Sequence, residues 1–213
     1  YNITCTPSTY SPPKWNGFLF GKYTPYWYFW GMRQPSTSSV QTLTGQTDSQ
    51  GAHYAKIKFL SSALSPPSPV ECASDTYIVD KNNQTLHTST KFMVHPSEYY
   101  VGLKLAKSFV KPDEDFPIEI VACDINGNLV QATIQLKIEA SIWNFKTKSY
   151  DTTVSNARIA SLSDKSIIHN FSSKFGGKYD IEAKVVDSQG RVSVTQCIFY
   201  VSGGYMPSKC SSS

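Results

Sequence analysis

Residue types that most often carry catalysis are few in this chain and widely spaced. The sequence contains four histidines, His53, His87, His95 and His169, and none lies in a His-Glu-x-x-His metal motif. It also lacks the Gly-x-Ser-x-Gly turn of serine hydrolases and the Gly-rich loop that cradles a nucleotide phosphate. A hydrolase needs a nucleophile, a base and a group that orients the base. The sequence therefore predicts no catalytic residues, no cofactor and no enzymatic activity.

The cysteines could form disulfides or bind a metal. They are Cys5, Cys72, Cys123, Cys197 and Cys210, and because no two have Cys-x-x-Cys spacing, a metal site is not expected. In an oxidising compartment disulfides are favoured, and pairing within each half of the chain joins Cys5 to Cys72 and Cys123 to Cys197. Cys210 is then free or joined to a partner chain. The alternative for Cys123 and Cys197 is that both are unpaired small hydrophobic residues in strands.

Three Asn-x-Ser/Thr sequons begin at Asn2, Asn83 and Asn170. They lie beside turn or polar residues, where a glycosyltransferase could reach them in a secreted protein. With the cysteines, they predict a secreted or cell-surface location. No apolar run reaches the roughly 18 residues that a membrane helix requires, so no direct membrane span is expected. The chain begins at Tyr1 without Met and ends in a polar tail, which favours a processed chain or a segment of a longer one.

Length and composition favour two folded domains. The 213 residues suit two domains of about 100 residues each. A hydrophobic fraction of 40%, with 13% aromatic residues, is enough to fill two cores. The net charge is +4, but the 20 Lys and Arg residues are scattered along the chain. Because no basic cluster forms, a nucleic-acid partner is not expected.

Residues 15–30 contain the densest aromatic cluster, which is a candidate contact patch. Its members are Trp15, Phe18, Phe20, Tyr23, Tyr26, Trp27, Tyr28, Phe29 and Trp30. Large aromatic rings usually fill a core or a contact between domains, and this is the favoured interpretation. Two alternatives remain open. One is a stacking platform for carbohydrates or nucleobases, for which only Lys22 and Arg33 are nearby, and the other is an exposed apolar patch that binds a protein.

Hydrophobic periodicity predicts strands in both halves of the chain. The clearest alternation places Phe116, Ile118, Ile120 and Ala122 against Glu119, Val121 and Cys123. A period of two is typical of a β-strand, and Gly, Asn, Asp and Pro interrupt such segments about every ten residues. The pattern predicts an all-β chain of antiparallel β-sandwiches. Residues 144–174 are polar and rich in Ser, Thr and Lys, and we expect short strands around a long loop there.

Four turns share a common sequence pattern. They begin at Asp48, Asp80, Asp124 and Asp187, and in three of them a Gly follows three residues later. The Asp side chain can accept hydrogen bonds from the turn's own amides, and Gly supplies a left-handed backbone conformation. The recurrence predicts two copies of one module. Single carboxylates in separate hairpins cannot assemble a calcium site, so none is expected.

Pro96 marks the predicted junction between two domains. The proline-rich start of the chain excludes a helix there. We therefore predict an extended leading segment over residues 1–17, a first sandwich over residues 18–97, a second sandwich over residues 98–204, and a tail over residues 205–213.

Several short motifs, each of low specificity, follow one another at turns and strand ends. They include Tyr77-Ile78-Val79-Asp80, Val94-His95-Pro96-Ser97, Gly176-Gly177-x-Tyr179 and Val186-Asp187-x-x-Gly190-Arg191. In these motifs and their order, the chain resembles the bacterial-type branch of the α2-macroglobulin family over residues 40–204. The resemblance implies two consecutive macroglobulin-like domains of a longer chain, each an immunoglobulin- or fibronectin III-like antiparallel β-sandwich.

The resemblance also implies a function, namely inhibition of proteases by trapping. Its implied partners are target proteases and other domains of the same long chain. Many members bond to the protease through a thioester in a Cys-x-Glu-Gln motif, but no cysteine here lies in that motif, so no thioester residue is expected. Residues 144–174 are a candidate bait segment, with a plain surface loop as the alternative. The second functional hypothesis is a structural or adhesive segment of a cell-surface or filament protein that binds neighbouring chains.

Overall fold

The computed structural model describes residues 1–22, 38–57, 67–161 and 164–203. All regular elements in these ranges are β-strands, which confirms the all-β prediction. In chain order they are β1 (Asn2–Pro7), β2 (Leu19–Phe20), β3 (Ser39–Thr42), β4 (Val70–Val79), β5 (Thr85–Val94), β6 (Tyr99–Leu105), β7 (Phe109–Val110), β8 (Phe116–Asp124), β9 (Thr133–Asn144), β10 (Ser149–Ala160), β11 (Ile167–Phe171), β12 (Gly177–Val186) and β13 (Val192–Val201).

The chain divides into two compact units. Of the described residues, the first unit contains 1–10, 38–57 and 67–96, and the second contains 11–22, 97–161 and 164–203. The predicted leading segment over residues 1–17 is thus divided between the two units. Residues 18–22, which the sequence assigns to the first sandwich, lie in the second unit.

The described part of the first unit contains one four-stranded antiparallel sheet with the strand order β3-β1-β4-β5. β1 is an interior strand of this sheet rather than an extended leader. Ile3 and Cys5 are buried and alternate with exposed Asn2 and Thr4, because successive side chains of a strand point to opposite faces. A small core forms around Ile3, Cys5 and Cys72.

The second unit is a β-sandwich. Its five-stranded sheet has the order β10-β9-β12-β13-β7, and its four-stranded sheet has the order β11-β8-β6-β2. The pairs are antiparallel except for β7 with β13. Alternate residues of the facing strands form one large core, which includes Ile118 and Ile120 from β8, Leu136 and Ile138 from β9, and Ile181 and Ala183 from β12.

Residues 144–174 contain strands, as predicted, but β10 is longer than the predicted short strands and occupies much of the predicted long loop. β10 pairs with β9 along its whole length, from Ser149 opposite Asn144 to Ala160 opposite Thr133, and β11 pairs with β8. β10 is an edge strand with mostly exposed side chains, so its sequence lacks the hydrophobic alternation of a half-buried strand. Thr and Val residues nevertheless favour the extended backbone.

Candidate functional site

Within the described residues, no group of three or more His, Cys, Asp or Glu side chains could hold a metal ion. The histidines occupy different positions: His53 follows β3, His87 lies in β5, His95 directly follows β5, and His169 lies in β11. His53 Nδ1 lies 3.1 Å from the Tyr1 hydroxyl. His95 is partly buried, and this burial lowers the pKa of its imidazole. The histidines therefore lie among different neighbours and share no site in this part of the chain.

The four Asp turns repeat one hydrogen-bonded arrangement. In each, one carboxylate oxygen of Asp48, Asp80, Asp124 or Asp187 accepts hydrogen bonds from the backbone N–H groups two and four residues later, at 2.8–2.9 Å. The residue three places after the Asp has a positive φ in each turn: 79° at Gly51, 60° at Asn83, 78° at Gly127 and 78° at Gly190. The turn chemistry predicted from the sequence is thereby confirmed.

Asp187 differs from the other three turn aspartates because its side chain is buried, with 6% exposed. Its second carboxylate oxygen accepts hydrogen bonds from Ser97 Oγ at 3.2 Å, Glu98 N–H at 3.0 Å and Arg191 Nε–H at 2.8 Å. The Arg191 guanidinium also lies 2.7 Å from a Glu98 carboxylate oxygen. We call Ser97, Glu98, Asp187 and Arg191 the Asp187 anchor. It fastens the residues that directly follow Pro96 to the turn between β12 and β13.

Asp187 keeps its negative charge in the anchor. Burial by itself would raise the pKa of the carboxyl group, but hydrogen bonds from Glu98 N–H and from Arg191 hold that pKa well below its usual range. Such charge-assisted hydrogen bonds are stronger than those between neutral groups. The anchor is therefore an electrostatic fastening whose strength depends on ionised Asp187.

Two aromatic residues of the predicted contact patch pack within the second unit, in the segment before β2. The Trp15 indole N–H donates a hydrogen bond to the Gly127 carbonyl at 3.0 Å. The Phe18 ring meets the Trp15 ring edge-on at 5.3 Å, and Lys104 Nζ lies 5.4 Å from the Phe18 ring centroid. These contacts agree with the favoured interpretation that the aromatic rings are used in packing.

Phe20 is the third described member of the patch and is only 9% exposed. It lies opposite Gly102 in the pairing of β2 with β6. A methyl group at Gly102 would approach the Phe20 ring to 2.7 Å and Val121 to 2.8 Å, so the ring needs a glycine beneath it. The other predicted members, Tyr23, Tyr26, Trp27, Tyr28, Phe29 and Trp30, lie outside the described residues.

The five cysteines fall into three situations. Cys5 and Cys72 lie opposite each other in β1 and β4, 4.2 Å apart at Cα, and form a disulfide. Cys123 and Cys197 are free and buried, which corrects the predicted pairing of these two residues. Cys210 lies outside the described residues.

Strand geometry explains why Cys123 and Cys197 do not pair. Ile118, Ile120 and Ala122 face the core between the two sheets, so Cys123, which is one position out of phase, points to the other face of its sheet. Cys197 belongs to that core. Burial raises the pKa of both thiols to about 12, which leaves them unreactive small hydrophobic side chains.

The three sequon asparagines are all exposed. Asn2 is the first residue of β1, and its side-chain oxygen accepts a hydrogen bond from Thr42 Oγ1 at 3.2 Å. Asn83 lies in the turn between β4 and β5, and Asn170 lies in β11. The structure thus places each asparagine where its side chain can be reached from solvent.

Sequence reasoning did not find the Asp187 anchor. Two motifs that carry the family resemblance contain its members, Ser97 in one, Asp187 and Arg191 in the other. Nothing in their spacing pairs them, because Glu98 and Asp187 are separated by 89 positions. The packing of the two sheets brings the segments together, because β6 belongs to the four-stranded sheet and β12 and β13 belong to the five-stranded sheet.

No protein-family model matches the chain. Among curated proteins, it is 28% identical over 149 residues to circularly permutated Ras protein 2 of Dictyostelium discoideum, covering 66% of this chain and 4% of that protein. The chain therefore spans only a small part of that relative. No helix in the described residues has the length and apolar character needed to cross a bilayer.

Solved structures of Escherichia coli α2-macroglobulin have a similar fold. The native conformation matches 97% of this chain with a TM-score of 0.51 and 14% identity, and the match spans 15% of that protein. The trypsin-activated form matches 96% of this chain with a TM-score of 0.54 and 12% identity, spanning 14% of that protein. The all-β, macroglobulin-type fold predicted from the sequence is thus confirmed.

Proposed function

We propose that this chain is a non-catalytic scaffold segment of a longer, secreted or cell-surface macroglobulin-like protein, and that it contributes to protease trapping in that protein. The observation that carries the proposal is the fold similarity to E. coli α2-macroglobulin over nearly the whole chain. Because the match spans a small part of that protein, partners of this segment include other domains of its own long chain, and the target protease is a partner of the whole protein.

The internal fastenings support a scaffold role. Fixed turns around Asp80, Asp124 and Asp187 hold the adjoining strand ends, and the Asp187 anchor holds the segment that follows Pro96. A scaffold domain must keep its strands paired when other parts of a long protein change shape. Charge-assisted hydrogen bonds and short turns provide that resistance without any catalytic group.

The test uses the full-length parent protein. After incubation with trypsin, a trapping scaffold leaves the bound protease able to cleave a small peptide substrate but unable to cleave a large protein substrate, because only the small substrate diffuses into the trap. Inactivated trypsin, which cannot cut the parent chain, is the control and should not be retained. If active trypsin cleaves both substrates at undiminished rates, the protease-trapping proposal is wrong.

An adhesive or structural segment is the second candidate. Exposed apolar side chains on the hairpin of β4 and β5 favour it: Ile78 is 46% exposed, Val79 61% and Leu86 68%. Solvent-exposed apolar clusters of this kind often bind other proteins. Retention of the chain on the surface of its source cells, with loss of that retention in a Leu86→Lys variant, would support this candidate over the first.

Residues 144–174 are better interpreted as a plain surface region than as bait. β10 and β11 hold much of this stretch in paired strands, and a protease binds an extended segment that is free of such pairing. We therefore expect trypsin to cut the native chain slowly at Arg158, within β10. If mass spectrometry shows that trypsin cuts at Arg158 before any other site, the result would support the bait hypothesis.

We further propose that the chain carries N-linked glycans in its native host. Asn2, Asn83 and Asn170 are exposed, and the Cys5–Cys72 disulfide suits an oxidising compartment. Treatment with an N-glycosidase should reduce the mass of chain expressed in a eukaryotic secretory system. Peptide mapping then shows which asparagine has become aspartate. An unchanged mass would contradict this proposal.

A further inference from the structure

β10 presents the longest free edge of any described strand. It has 12 residues and ends the five-stranded sheet, so no described strand pairs with its outer edge. The other terminal strands are shorter: 10 residues in β5, five in β11, four in β3, and two each in β2 and β7. A free edge exposes a row of unpaired backbone N–H and C=O groups that can pair with another strand.

Most of the usual protections of a free edge are absent from β10, whose two charged residues are Asp151 and Arg158. Its sequence contains no Pro, Gly or Lys, and its pairing with β9 continues without a bulge from Ser149 to Ala160. Natural edge strands commonly carry such residues or bulges, which prevent association. β5, the next longest edge, carries Lys91. β10 is therefore the described edge best suited to receive a further strand.

We propose that the partner on this edge is β10 of a second copy of the chain, paired antiparallel about a two-fold axis. The symmetry restricts the register. Side chains of opposite residues lie on the same face of a sheet, so two positions of identical strands can be opposite only when they are separated by an even number of residues. A residue at the centre therefore lies opposite itself.

Two registers overlap nearly all of β10, one centred on Val154 and one on Ser155. The Ser155 register places the Asp151 carboxylate opposite Ile159 of the partner subunit, which buries a charge against an apolar side chain. The Val154 register places Asp151 opposite the partner's Ala157, whose single methyl group covers less of the carboxylate than the partner's Ile159 would, and it packs the two Val154 side chains against each other. The Val154 register is therefore the more favourable.

The Val154 register is also complementary in charge and shape. It sets Tyr150 opposite the partner's Arg158, and the two-fold axis repeats the contact. Tyr150 is 67% exposed, and Arg158 forms no ion pair within the described residues, so the guanidinium is available to stack on the aromatic ring. Thr152 then lies opposite the partner's Asn156, where two polar side chains can hydrogen-bond across the strands.

The test measures the mass of the 213-residue chain in solution by sedimentation, over about a hundredfold range of concentration. We expect a shift from the 23.7 kDa monomer to a dimer. Val154→Lys should weaken the dimer about tenfold or more, because like charges then lie directly opposite each other. Val154→Glu should do the same. An equimolar mixture of the two variants should recover the dimer, since Lys now meets Glu.

Ile168→Lys is the matched control. Ile168 is 64% exposed on the short edge strand β11, and Val154 is 50% exposed on β10, so both substitutions place a lysine on an exposed edge. The control should dimerise like the wild type. Val154→Lys, Val154→Glu and Ile168→Lys should all keep the wild-type circular dichroism spectrum. A wild-type chain that stays monomeric, a Val154→Lys variant that still dimerises, or a mixture that fails to recover the dimer overturns the proposal. None of these outcomes depends on the proposed protease-trapping function.

Discussion

The two units of this chain are stabilised by different kinds of interaction. In the described part of the first unit, the buried apolar cluster consists of Ile3, Cys5 and Cys72, and two of these residues form the disulfide. The second unit buries a two-sheet core, and the two cysteines among its described residues, Cys123 and Cys197, are free thiols. Its additional fastening is the electrostatic Asp187 anchor. Among the described residues, the covalent link therefore accompanies the smaller buried cluster.

Removing the disulfide should give the largest effect and should confine it to the first unit. The double variant Cys5→Ala/Cys72→Ala opens a loop with a sequence separation of 67, for which chain entropy predicts a loss of about 4 kcal/mol. Hydrogen exchange in a urea series, followed by mass spectrometry, measures the free energy of opening for β4 and β13 separately. We expect the loss in β4 peptides only.

Cys123→Ala is the control for that experiment. It removes a buried thiol from the second unit and should cost that unit about 1 kcal/mol through lost packing. The first unit should not respond. Equal losses in both units from the disulfide variant would show that they unfold as one cooperative body, and the contrast between them would then be wrong.

Breaking the Asp187 anchor should give the next largest effect, in the second unit. Asp187→Asn keeps the shape of the side chain but removes the charge and turns an acceptor oxygen into a donor facing Glu98 N–H. The buried donors lose their partner, for which we expect about 3 kcal/mol. Asp48→Asn in the exposed turn of the first unit is the matched control and should lose less than about 1 kcal/mol. Equal losses would mean that the contacts beyond the turn contribute nothing.

The stability from ionised Asp187 should also depend on pH. Its folded-state pKa lies below that of an unfolded aspartate, which is about 3.9, so the stabilisation is fully present above that value and declines as the pH falls towards the folded-state pKa. The difference in unfolding free energy between wild type and Asp187→Asn should therefore narrow below about pH 4. Urea denaturation of both proteins between neutral and acidic pH measures it. A constant difference would contradict an ionised anchor.

A tight contact inside the second unit should give a smaller effect. Gly102→Ala places a methyl group 2.7 Å from the Phe20 ring, and such overpacking should cost about 2 kcal/mol. Phe20→Leu relieves the contact with the ring, while the contact with Val121 at 2.8 Å remains, so the double variant should lose less than the sum of the two single variants. Urea denaturation of the four proteins measures the coupling. Strictly additive losses would show that Phe20 does not lie over Gly102.

Hydrophobic alternation and turn chemistry predicted much of the fold, and the same alternation also determines which face of its sheet Cys123 occupies. Because Ile118, Ile120 and Ala122 face the core, their period already places Cys123 on the opposite face. That phase argues against a disulfide to Cys197. Residues 144–174 were predicted as short strands around a long loop, and the length of β10 was missed for a physical reason: an exposed edge strand has no buried face, so its polar sequence carries no alternation.

The Asp187 anchor could not be predicted from one sequence. The turn around Asp187 looks like the turns at Asp48, Asp80 and Asp124, and local hydrogen bonding explains all four. What distinguishes Asp187 is burial and contact with Ser97 and Glu98, which depend on the packing of distant segments. Local rules determine turns, whereas long-range packing determines which turn becomes a fastening.

Asn83 offers the smallest expected effect and tests whether the turns of both units are equivalent. It holds a φ of 60° at the position where the other three turns carry Gly, and Asn tolerates this conformation better than most residues. Asn83→Gly should change the unfolding free energy of the first unit by less than about 0.5 kcal/mol, whereas Asn83→Ala should lose about 1 kcal/mol. Both variants remove the sequon, so the comparison separates backbone conformation from any glycan. Equal losses in the two variants would mean that the Asn83 side chain itself stabilises this turn.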